Sequence, residues 1–170
     1  MKKSVLLTAV AGSGKSTTCR ALQQLGINAH DIETIPGLYE LVDERTGQVL
    51  PGGMDQITDG VEWRCNKAKM KALIDAAPQG LTIYCGGMSN TDEVWDVFDQ
   101  VVMLTVSDDT TSKRLATRKQ GEFGSTQENR EWVLSWKHDV EQGWRASGGV
   151  AVSAEKSPVE VAHLVVAATM

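Results

Sequence analysis

The run Ala9-Val10-Ala11-Gly12-Ser13-Gly14-Lys15-Ser16 constrains this chain more than any other stretch. The apolar segment Val5 to Val10 leads into it and reads as a buried strand. Ser16 to Leu25 follows as a helix that Gly26 ends. Gly12 and Gly14 permit backbone conformations that a Cβ resists. Successive N–H groups can then point into one concavity and meet an anion. The helix N-terminus adds partial positive charge at the same place, and Lys15 adds a full one. The spacing is G-x-x-x-x-G-K-[ST], with Ala9 where the first glycine would stand. It predicts a phosphate cradle over Ala11, Gly12, Ser13, Gly14, Lys15, Ser16 and Thr17. Lys15 would meet the β- and γ-phosphates of a nucleoside triphosphate such as ATP, and the Ser16 hydroxyl would hold Mg²⁺. A chance glycine-rich turn is the competing reading, and the strand-turn-helix context weighs against it.

The rest of the chain alternates strand and helix. Strands are expected at Ile27–Ile32, Leu81–Cys85, Gln100–Val106 and Gly149–Ser153. Helices are expected at Ile57–Ala77, at Thr91–Phe98 capped by Asn90, from Asp108 to about Arg118, and at Gln127–Ala146. Ser157-Pro158-Val159-Glu160 has capping-box spacing and opens a last helix. Residues 34–56, rich in Gly and Pro, read as loop with one turn of helix around Leu38–Val42. Five strands alternating with helices predict a parallel sheet covered on both faces, with ligands beyond the strands' carboxyl ends.

At 170 residues the chain suits one domain. Lys and Arg number 17 against 22 Asp and Glu, a net charge of −5, so no nucleic-acid partner is expected. Cys19, Cys65 and Cys85 form no Cys-x-x-Cys pair, which points away from disulfides and zinc and towards a cytoplasmic protein. No segment reads as membrane-spanning.

The cradle and the elements after it make the chain resemble the P-loop small-molecule kinases, a group that includes the adenylate and shikimate kinases. The resemblance implies a three-layer α/β P-loop NTPase fold, sheet order 2-3-1-4-5, with a lid. It also implies that residues 34–80 form an acceptor-binding insert and residues 119–130 the lid. Arg114-Leu115-Ala116-Thr117-Arg118 matches an Arg-x-x-x-Arg found before the adenylate kinase lid. Arg114 would stack on the base, and Arg118 would approach the phosphates as a catalytic residue. His30-Asp31-Ile32-Glu33 stands where shikimate kinases carry Asp-x-Asp. Asp31 would orient Mg²⁺ and act in catalysis, and Glu33 would accept a hydrogen bond from the acceptor hydroxyl. Glu33 is one methylene longer than the family's second Asp. Tyr84-Cys85-Gly86-Gly87-Met88 lacks a Walker B acid, and Gly86 and Gly87 are similar to the glycines by which shikimate kinases contact substrate. Arg64 corresponds to an arginine that binds anionic substrates there.

Trp132, Trp136, Val140 and Trp144 recur every four residues, as core packing or as one wall of a substrate pocket. The implied function is transfer of a phosphoryl group from ATP to a small molecule: a nucleoside, a nucleotide or a shikimate-like compound. The chain would act as a monomer or homodimer. An ATPase or nucleotide-dependent switch without a small-molecule acceptor is the alternative, and it predicts a Walker B acid.

Overall fold

The computed structural model describes residues Met1–Met170. Its centre is β1 (Lys2–Ala9), where Val5, Leu6 and Leu7 are each fully buried. Because side chains alternate across a strand, Val5, Leu7 and Ala9 face one core cluster and Leu6 faces another. The chain continues through α1 (Lys15–Gln24), β2 (Asn28–Asp31), β3 (Tyr39–Asp43), β4 (Val49–Leu50), β5 (Val61–Cys65) and α2 (Lys67–Ala76). It then forms β6 (Gly80–Cys85), α3 (Thr91–Val94), β7 (Gln100–Thr105), α4 (Asp108–Ala116), α5 (Gln127–Ala146), β8 (Val150–Ser153) and α6 (Pro158–Ala168).

The main sheet runs β2-β6-β1-β7-β8, and every pair in it is parallel. Counting only its own strands, this is the expected 2-3-1-4-5 order. The first cluster, with Leu22 of α1 and Val161 and Val165 of α6, fills one face. Met70 and Ile74 of α2, Tyr84 and Phe98 fill the other. The capping box at Ser157 and Glu160 is present, with Pro158 opening α6. No helix is long and apolar enough to cross a membrane.

The insert departs from expectation. It carries a three-stranded antiparallel sheet, β4-β3-β5. Leu38–Val42 is not a helical turn: Tyr39 and Leu41 point inward and Glu40 outward, the alternation of a strand. Residues 57–77 are not one helix either. Gly60 has φ +80, which breaks it, and Val61-Glu62-Trp63-Arg64-Cys65 pairs with β3. The helix starts only at Lys67, where the Asn66 side chain accepts from the Lys69 N–H. Asn90 does not cap α3; its amide holds the Cys65 N–H and C=O instead. The helix after it ends at Val94 and continues as one 3-10 turn over Trp95–Val97. Ser107, not Asp108, caps α4, accepting from the Thr110 N–H.

Candidate active site

The carboxyl ends of the parallel strands converge on the turn between β1 and α1. Gly12 and Gly14 take φ +84 and +87, the left-handed region that glycine tolerates best. The Ser13 N–H closes the turn on the Val10 carbonyl at 3.2 Å, and Thr18 ties back to the Gly14 carbonyl. The loop borders a cavity of about 690 Å³, which Ala9 through Thr17 line. The Ser13 hydroxyl is buried without a partner. This concavity of amides at a helix N-terminus, beside an ammonium, fits a polyphosphate. No cluster of three acidic, His or Cys side chains could hold a metal on its own. Mg²⁺ would therefore need the Ser16 hydroxyl, which lines the cavity, and nucleotide oxygens.

Lys15 and Glu33 meet on the cavity floor, with Nζ 2.8 Å from Oε1, and both side chains are largely withdrawn from solvent. Glu33 also accepts a short hydrogen bond from the Gly87 N–H. Glu33, Lys15 and Gly87 thus form one contact set where β1, β2 and β6 end. Gly86 and Gly87 play different parts. Gly87 lines the cavity, whereas Gly86 is buried and does not. A Cβ on Gly86 would lie 2.5 Å from Ile32 Cγ1 and 2.6 Å from the Tyr39 hydroxyl. Asp31 also stands outside the cavity wall, its carboxylate accepting from the Glu33 N–H at 3.3 Å. Burial raises its pKa above the ordinary carboxylate value, and the nearby Lys15 offsets only part of this.

The two arginines separate, because α4 ends at Ala116 rather than at about Arg118 and only Arg114 lies on it. Arg118 lines the cavity and donates to the Phe123 carbonyl, which anchors the following loop. Burial pulls its pKa below the usual guanidinium value, although the group stays cationic. Arg114 lies on the other side of the cradle. It donates to the Ala154 carbonyl just after β8, and one of its nitrogens would be 3.2 Å from a Cβ on Gly14. Between them, fully buried Leu115 packs under Gly12 on one side and Gly124 on the other. The loop expected as a lid carries no helix or strand up to Thr126. Residues 127–130 already belong to α5.

Arg64 does not reach the cavity. Its guanidinium is held by Glu62 at 2.8 Å and by Glu93. Trp63, the residue before it, lines the cavity instead, as does Glu62. All five tryptophans of the chain line this cavity: Trp63, Trp95, Trp132, Trp136 and Trp144. The α5 stripe therefore serves both expected ends: it packs on the buried cluster of Val10, Leu115 and Val133, and it lines the pocket. Trp63 and Trp95 carry no sequence signal that would place them beside it. Glu44, Asp59 and Asp92 also line the cavity, and nothing in their spacing announced it.

Comparison with known proteins agrees with this architecture. A family profile described as an AAA domain matches residues 5–133. No curated protein sequence matches the chain. Among solved structures, the fold is similar to a gluconokinase from Sinorhizobium meliloti 1021, at 20% identity and TM-score 0.54, over 97% of this chain and 90% of that one. It is similar to TT1252 from Thermus thermophilus at 15% identity and TM-score 0.62, over 99% and 98% of the two chains. A deoxyadenosine kinase from M. mycoides with bound dATP gives 14% identity and TM-score 0.56, over 98% of each chain. With the glycine-bent phosphate cradle, the parallel sheet order and a profile spanning most of its length, the chain belongs to the AAA-domain family of P-loop NTPases.

Proposed function

We propose that this protein is an ATP-dependent phosphotransferase that phosphorylates a hydroxyl group of a small molecule. One observation carries the reading: the Lys15–Glu33 pair floors a single cavity that extends from the phosphate cradle to the insert. A charged phosphate ligand and a carboxylate base are thereby adjacent. The whole cavity, cradle included, is about 690 Å³, within the range of ligand pockets. The names of several structural neighbours, gluconokinase and deoxyadenosine kinase among them, are compatible with this reading.

In this mechanism the amides of residues 12–17 would hold the phosphates, and the Ser16 hydroxyl would hold Mg²⁺ together with nucleotide oxygens. The metal's contribution is to neutralise charge on the phosphoryl oxygens. Binding draws the Lys15 ammonium onto a phosphate oxygen. Glu33, still held by the Gly87 N–H, is then free to accept the proton of the acceptor hydroxyl as it attacks. Arg118 stabilises charge on the transferring group from the opposite side. The Phe123 loop limits water, which would otherwise compete with the acceptor. Arg114, tied to the Ala154 carbonyl, borders the base. Asp31 supports this set from behind by fixing the backbone of Glu33.

Lys15→Ala tests the reading. Turnover should fall by about two orders of magnitude or more, while the chain still folds with a lowered melting temperature, because Glu33 loses its ion-pair partner in a site largely withdrawn from solvent. A variant that turns over near the wild-type rate contradicts the mechanism. ADP release that no acceptor stimulates would favour the ATPase alternative.

A further inference from the structure

The cavity has two electrostatically different ends. Lys15 (paired with Glu33), Arg118 and the loop amides supply the cationic groups of the phosphate end, and no other Lys or Arg lines the cavity. Away from that end it is lined by Glu62, which Arg64 pairs, and by the exposed Glu44, Asp59 and Asp92, which make no ion pair or side-chain hydrogen bond. The arginine best placed in sequence to meet an anion, Arg64, is committed to Glu62 and Glu93 and does not line the cavity. An acceptor carrying a phosphate or carboxylate would therefore face three unneutralised carboxylates and find no cation of its own.

The walls carry the second observation. None of the five indoles belongs to the fully buried core; each is half-buried on the cavity surface. Trp132 and Trp136 meet edge to face, with ring centroids 5.6 Å apart and planes at 72°. Trp63 is fixed from behind by stacking on Tyr39 at 5.1 Å. Its backbone is fixed by the Ser89 hydroxyl at 2.9 Å. Rigid indole faces attract cations through the ring quadrupole, and carboxylates at the rim of such a surface add long-range attraction.

We infer that the phosphoryl acceptor is an organic cation: a hydroxyl compound with a positively charged nitrogen on a flat or apolar body. This rests on the phosphotransferase reading and names its substrate class. The indole walls receive the apolar body and the nitrogen. The charge is balanced by Asp59, Asp92 and Glu44, and the hydroxyl points along the cavity towards Glu33 and the cradle.

The test uses the full-length protein and its intrinsic fluorescence, since every indole borders the cavity. Three probes of matched size are titrated: benzyl(2-hydroxyethyl)dimethylammonium, its neutral all-carbon isostere, and an isostere carrying a carboxylate. The cation should quench saturably at roughly tenfold lower concentration than the neutral probe, and the anion least of all. Asp59→Asn combined with Asp92→Asn should erase most of that preference; if the pair melts early, Asp59→Asn alone, on an exposed loop, should reduce it. Neutral or anionic probes binding as well as the cation, or no saturable quenching by the cation, overturns the inference. A separate MgATP titration keeps the two readings apart. Nucleotide binding without cation preference defeats the substrate class alone, and absence of nucleotide binding defeats the phosphotransferase reading itself.

Discussion

Gly86 and Gly87 are neighbours that the structure assigns to different tasks, and alanine substitution separates them. Gly86 has ordinary negative-φ or extended backbone, so an alanine costs nothing in conformation there. The cost is steric. The new Cβ would lie 2.5 and 2.8 Å from two carbons of Ile32 and 2.6 Å from the Tyr39 hydroxyl. Ile32 is fully buried and Tyr39 is 8% exposed, so neither can swing into solvent. Relief requires shifts of about 1 Å to restore ordinary carbon contacts. Overpacking of this kind costs about 1–3 kcal/mol. For a chain of this size that lowers Tm by about 2–12 °C. At Gly87 the added Cβ would stand 3.3 Å from Glu33 Oε1 and 3.6 Å from the Ala9 carbonyl, a contact that a few tenths of an ångström relieves. Gly87→Ala should therefore keep nearly all the stability and lose turnover, because the atom that gives way is the proposed base. Calorimetry on both variants, together with acceptor-stimulated ADP release, reads both effects. Gly86→Ala melting with the wild type, or Gly87→Ala proving the less stable of the two, would refute the packing argument.

Further consequences follow from the cradle's supports. Leu115→Ala should cost about 2–5 kcal/mol in denaturant unfolding. It should also weaken MgATP binding, since Leu115 spans the gap between Gly12 and Gly124; unchanged nucleotide affinity would separate the cradle from the loop. Asp31 gives a pH signature. Burial raises its pKa above the ordinary 3.8, so the folded chain keeps a proton that the unfolded chain has released. Its contribution to stability therefore falls as pH rises from the unfolded value through the folded one. Asp31→Asn removes that slope. The Tm difference, variant minus wild type, should grow more positive as pH rises from about 4 and then level off above the folded value. A difference that shrinks over the same range contradicts the assignment.

What could be read before folding was what glycine and local periodicity encode. The cradle is local: two glycines, a lysine and a serine inside one strand-to-helix turn. The five parallel strands were legible because β1, β6 and β7 are apolar runs bounded by turn residues. The insert was misread because Leu38–Val42 and residues 57–65 are short amphipathic stretches. Strand and helix periods differ little over five residues, and Gly60 was the clue that mattered. Arg64 illustrates the reverse problem: its residue type suited an anion, but Glu62 and Glu93 hold its guanidinium. The aromatic cavity was legible only in part: the four-residue recurrence on α5 offered a pocket wall, whereas Trp63 and Trp95 join it only through tertiary packing.

Whether the γ-phosphoryl group passes to an acceptor hydroxyl or to water distinguishes a phosphotransferase from an ATPase. Phosphorus NMR of the protein with MgATP and a hydroxyl acceptor drawn from the cationic class should show a new phosphomonoester resonance growing as ADP appears, and it should vanish with Lys15→Ala. Inorganic phosphate as the sole product, at a rate indifferent to every acceptor supplied, would contradict the account.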